Sequence, residues 1–161
     1  MMVILHSCGQ AQNRNTIYPE HVGDISFDAA HDDRSFKVCT NENNIPQYYN
    51  FGKGLQYKGE KIAINKYFGE NFKGRNQIGE TGFLTIRFIV NCEGKTGRFR
   101  TEGMDDNYQT KKFNEGLENR ILQLVKQMDG WVIGEISGQK IDYYQYLTFK
   151  LENGKIIEIM P

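Results

Sequence analysis

The stretch that most limits what this chain can become is residues 81–101, TGFLTIRFIVNCEGKTGRFRT, which reads as a β-hairpin. Residues 83–90 are rich in β-branched and aromatic types, and residues 96–101 follow after a short polar turn holding Gly94, which takes positive φ at no steric cost. Two strands alone are marginal in water, so the rest of the chain must supply a layer that covers their apolar face.

Two segments have the helical period to do so. Residues 60–72, EKIAINKYFGENF, predict an amphipathic helix presenting Ile62, Ile64, Tyr67, Phe68 and Phe72. Gly69 weakens that helix by up to about 1 kcal/mol relative to Ala. The stronger helix carries Leu117, Ile121, Leu122, Leu124, Val125 and Met128 on one stripe, with Asn114 as its N-cap and Gly130 as its stop. Each large side chain of such a stripe contributes about 1.5–3 kcal/mol when fully buried. Trp131, the one Trp of the chain, is expected to anchor and close the core rather than bind a ligand.

Residues 141–151, IDYYQYLTFKL, predict a long strand. Ile141, Tyr143, Leu147, Phe149 and Leu151 fall on the core face, while Asp142, Tyr144, Tyr146, Thr148 and Lys150 fall on the other. Asn153-Gly154 is a two-residue hairpin signal, so residues 155–160 should fold back on the long strand and mask one of its edges. The fold class is therefore α+β: an antiparallel sheet of hairpin, long strand and last short strand, packed against two helices.

Upstream, the chain divides into a leader and a covering region. The opening MMVILHSCGQ places a short apolar run before Cys8 in the manner of a lipobox, which makes Cys8 a candidate for lipidation. Residues 9–24 are polar without period and predict a tether, so the single domain is taken as residues 25–161. Residues 25–27 and 35–39 alternate briefly and predict short edge strands. The rings of Tyr48, Tyr49, Phe51 and Tyr57, interleaved with glycines, predict a packed loop over a core edge. Cys39 and Cys92 pair as a disulfide in an oxidising compartment or stand as two unpaired thiols; sequence supplies no distance to decide between them.

Composition and motif spacing exclude several functions. At 161 residues with hydrophobic 39% and charged 25%, the chain is long enough for one domain with a real core. Lys plus Arg and Asp plus Glu are both 20, so no basic field favours nucleic acid. No run of apolar residues is long enough to span a bilayer, which leaves a lipid at Cys8 as the sole membrane attachment expected. His31-Asp32-Asp33-Arg34 holds metal-ligating types, yet neighbours in a loop point apart, and His6 and His21 sit at no completing spacing. Gly52-Lys53-Gly54 lacks the Lys-Ser/Thr pair of a phosphate loop. No catalytic residue, metal or cofactor is expected, and the reading is non-enzymatic.

The order helix, hairpin, helix, Trp, long strand resembles the TonB C-terminal domain family in the forms abundant in Bacteroidota. The pieces that carry this are Tyr57-Lys58-Gly59-Glu60 with Asn65-Lys66-Tyr67-Phe68, Thr81-Gly82-Phe83 with residues 87–91 and Glu93-Gly94-Lys95, and residues 117–131 with Gly134 and Gly138. The match covers about residues 57–151. It corresponds to a short form without a membrane helix or Pro-rich segment, and Ile133 stands where the family commonly has Pro. The resemblance implies a periplasmic or outer-membrane-tethered module that binds an envelope or outer-membrane protein by adding a strand to a sheet edge. On that analogy Ile141, Tyr143, Tyr144, Tyr146 and Thr148 form the interaction strand. The alternative is a structural or stress-related envelope protein that reuses the fold without binding a transporter.

Overall fold

The computed structural model describes residues 24–51, 54–74 and 78–161. Its centre is a four-stranded antiparallel sheet in the order β2-β1-β5-β6, formed by β1 (Gly82–Val90), β2 (Thr96–Met104), β5 (Tyr143–Glu152) and β6 (Lys155–Met160). The expected hairpin is β1 and β2, with Gly94 at φ 78° in its turn. The β5–β6 turn places Asn153 at φ 50° and Gly154 at φ 77°, the twist-matched pair that Asn-Gly supplies.

Two helices cover one face, as the sequence requires. In α2 (Glu60–Asn71) the buried residues are Ile64 and Phe68, one turn apart. In α3 (Glu115–Lys126) they are Leu117, Ile121 and Val125, and the Asn114 side chain accepts from the Leu117 N–H at 3.2 Å as the N-cap. These residues meet Leu84, Ile86 and Phe88 of β1 and Leu147, Phe149 and Leu151 of β5 in one cluster. Trp131 is buried there, edge-on to Tyr57 at 4.9 Å and Phe88 at 5.0 Å. A short helix, α1 (Tyr48–Phe51), closes the end of this layer by setting Phe51 against Tyr143.

The opposite face of the sheet is covered by the N-terminal segment rather than by helices. Ile25, Phe36, Val38 and Ile45 pack on Ile89 and Tyr144 in a second, smaller cluster. Residues 25–27 and 35–39 belong to no strand, contrary to expectation. Their alternation comes from a chain lying side-on against an apolar surface, with its polar groups bonded to side chains instead of a ladder.

Three further expectations are corrected. Residues 141–151 are not one strand: Ile141 ends β4 (Gln139–Ile141), which pairs with β3 (Gly134–Ile136) as a separate two-stranded sheet, and Asp142 divides it from β5. Ile62 is 83% exposed, because it lies two residues before Ile64 and so falls on the far side of α2. Gly130 is not the left-handed stop of α3, which ends on Gln127. A Cβ at Gly130 would sit 2.6 Å from the Tyr57 ring, so glycine is required there for close approach.

Candidate functional site

The residues proposed as an interaction strand lie in the middle of the sheet. β5 pairs with β1 from Tyr143 to Leu151 and with β6 from Thr148 to Glu152, and Tyr144 donates its N–H to Pro46 O at 2.9 Å. Tyr143 and Tyr144 are buried, Tyr146 and Thr148 are half-buried, and Ile141 stands outside the strand. Burial pushes the Tyr143 hydroxyl far above the usual phenol range, and that hydroxyl donates to Val132 O at 2.8 Å. These groups pack the core, and among the described residues the β6 side of the strand is paired at Tyr144 and from Thr148 to Glu152. The last strand folds back through the Asn153-Gly154 turn and masks that edge from Thr148 to Glu152.

The sheet's outer strands are β2 and β6. The end of β2 is closed by its own following loop, where Lys111 donates to Gly103 O at 2.8 Å and Met104 bridges Thr110. Beside the rest of β2 lies a cleft of about 750 Å³ between α3 and residues 28–33. Several of its polar side chains are already engaged: Arg100 grips Asp32 at 2.7 and 2.8 Å and Thr101 bonds Glu118 within the cleft, while Arg98 grips Glu42 outside it at 2.6 and 2.9 Å. Bonding to Arg98 holds the Glu42 carboxyl below the usual range, and Arg100 does the same for Asp32.

β6 is the more open edge. Among the described residues it pairs with β5 alone, and a groove of about 260 Å³ separates it from α2, lined by Phe68, Gly69, Phe72, Ile156, Ile157 and Ile159 among others. A Cβ at Gly69 would meet no atom within 4 Å, so the groove is open beside it. A bulge between Lys150 and Leu151 leaves Ile157 without a cross-strand partner and 54% exposed. Lys61 of α2 reaches Glu158 at 3.3 Å across the rim.

Residues 31–34 do not converge on a site. His31 bonds Asp28 at 2.7 Å, Asp32 is taken by Arg100, and Asp33 caps the Ser35 N–H at 2.7 Å. Tyr48 and Tyr57 are buried while Tyr49 is 59% exposed, so two of these rings pack over a core edge and one faces solvent. Cys8 lies outside the described residues.

Cys39 and Cys92 are joined by a disulfide with Cα atoms 6.0 Å apart, tying the N-terminal segment to the β1–β2 turn. Below it sits Asp142, which sequence reasoning placed on a strand face and passed over. It is wholly buried and accepts from Cys39 N at 2.8 Å, Thr40 N at 2.6 Å, Thr40 Oγ1 at 2.6 Å and Cys92 N at 2.9 Å. Three segments distant in sequence thus share one carboxylate. The only signal in the sequence was an acidic residue inside an otherwise apolar and aromatic run, IDYY. Protein-family models, curated proteins and solved structures all give no match to this chain. No helix among the described residues is long and apolar enough to cross a membrane.

Proposed function

We propose that the chain is a non-enzymatic interaction module of the cell envelope, similar to the TonB C-terminal domain, which binds an envelope or outer-membrane protein by strand addition. The observation that carries this is the outer side of β6: a strand with one neighbour among the described residues, bordered by an apolar groove against α2. An unpaired strand edge recruits an extended segment through backbone hydrogen bonds, and a flanking groove selects alternate side chains. In this reading the docking strand is β6, one strand outward from the one the resemblance suggested. The succession of α2, β1, β2, α3, Trp131 and β5 supports the resemblance, and the Cys39–Cys92 disulfide supports an oxidising compartment such as the periplasm. A lipid on Cys8 would tether the module to a membrane, and labelling with a palmitate analogue that is lost in Cys8→Ala tests that separately.

A specific observation favours the second reading, a structural or stress-related envelope protein. The β6 edge carries Lys155 and Glu158 and a bulge, devices that discourage strand addition. A pull-down from an envelope extract separates the two. Strand addition predicts that a transporter or other outer-membrane protein is captured by the parent chain and lost with Ile157→Pro, which removes a backbone donor on an already irregular strand. Capture unaffected by Ile157→Pro, or no capture of such a protein, would favour the structural reading.

A further inference from the structure

We propose that, once its disulfide is opened, the chain holds a thiophilic divalent cation such as zinc through Cys39, Cys92 and Asp142. The Sγ atoms of both cysteines and a carboxylate oxygen of Asp142 lie within 4.8 Å of one another. Tetrahedral zinc with sulfur ligands at about 2.3 Å and oxygen at about 2.0–2.2 Å needs ligand atoms roughly 3.5–3.8 Å apart, a span this cluster reaches by small rotations about the Cα–Cβ bonds.

The carboxylate is already oriented for the role. Its Oδ2 accepts three bonds, from Cys39 N, Thr40 N and Thr40 Oγ1, and is saturated. Its Oδ1 accepts one, from Cys92 N, which leaves a lone pair for a metal. Those four donors fix the ligand in the way that outer partners fix ligands at metal sites, and they offset the negative charge that two thiolates and a carboxylate would bring together. Cys39 is exposed, so water reaches the cluster and fills a fourth position.

The chemistry balances with an external dithiol as reductant. It gives two electrons and two protons to the Cys39–Cys92 bond, the S–S bond breaks to two thiols, and the dithiol leaves as a disulfide. Metal binding then displaces the two thiol protons to solvent. In either redox state the N-terminal segment stays clasped to the β1–β2 turn, by a covalent bond or by a shared ion.

The test uses the full chain carrying Cys8→Ser, reduced by a phosphine under anaerobic conditions, with Co(II) as the probe. Binding of one equivalent is expected, with thiolate-to-cobalt charge-transfer absorption and tetrahedral visible bands. Asp142→Asn should weaken binding tenfold or more while keeping the charge-transfer band, and Cys39→Ser should weaken that band. Zinc should raise the melting temperature of the reduced parent and leave the oxidised parent unmoved. If the reduced chain is unfolded without metal, recovery of far-ultraviolet circular dichroism on adding Co(II) carries the same meaning. Absence of charge-transfer absorption, Co(II) binding of equal strength in folded Asp142→Asn, or failure of metal to refold an unfolded reduced chain would overturn the proposal.

Discussion

Removing the disulfide should be the most damaging single chemical change to this fold. Cys39 and Cys92 are 53 residues apart in sequence, and the chain-entropy relation for a closed loop of that size gives about 14 cal/mol/K, or about 4 kcal/mol at 25 °C. Single domains are stable by about 5–15 kcal/mol, so this is a quarter or more of the total. At about 2–4 °C per kcal/mol for a chain of this size, the melting temperature should fall by about 8–16 °C. The assay is urea unfolding of Cys39→Ala/Cys92→Ala against its parent, both carrying Cys8→Ala, followed by the fluorescence of the buried Trp131. The slope against urea should rise in the variant, because the unfolded chain is no longer cross-linked and exposes more surface. A loss under about 1 kcal/mol would refute the reasoning, since the entropy relation would then be off by most of its value. So would two reactive thiols in the denatured, unreduced parent.

Gly97 should prove intolerant of a side chain: the Cβ of Gly97→Ala would be driven into the Phe36 ring, and overpacking of this kind costs about 1–3 kcal/mol, read by thermal melting, with faster amide exchange across residues 25–38. Arg98→Ala should cost about 1.5–3 kcal/mol, because Arg98 is 7% exposed and grips Glu42 and the Ile25 carbonyl; an unchanged melt would deny it that role. Acid should loosen the N-terminal segment: Asp32 and Glu42 have folded values depressed below 3.8 and 4.5, so their contribution is present above about pH 4.5 and is lost as pH falls through the folded values. Glu42→Gln should flatten that acid dependence of the melt, and a melt equally acid-sensitive in the variant would show that other carboxylates dominate.

The helical face of the fold was legible because its signals are local and repeated. The run 83–90, the Asn114 cap and the Asn153-Gly154 turn each state a backbone preference that tertiary packing had no reason to override. The second face was not legible in the same way. Three to five alternating residues are produced equally by a strand and by an irregular segment lying on a sheet, and what separates them is where the N–H groups go. Here Cys39 and Thr40 donate to Asp142, and Ile25 donates to the Tyr144 hydroxyl at 3.3 Å, partners more than 100 residues away. Ile62 was misplaced through counting apolar residues without their angle: it is two positions from Ile64, and two positions put it on the opposite side of a helix. The break at Asp142 was hidden because Ile141-Asp142-Tyr143 alternates in the same phase as the strand that follows.

The account turns on the outer side of β6, and Ile157 is the place to measure it. A photo-crosslinking amino acid at Ile157, exposed on the bulge beside the α2 groove, should give adducts in the producing cells with one envelope protein, mapping to a short extended segment. The same group at Tyr108, 71% exposed and located in the loop after β2, should give none of those adducts. The same adducts at both positions, or none at Ile157 while the protein is folded and in place, would contradict docking at β6.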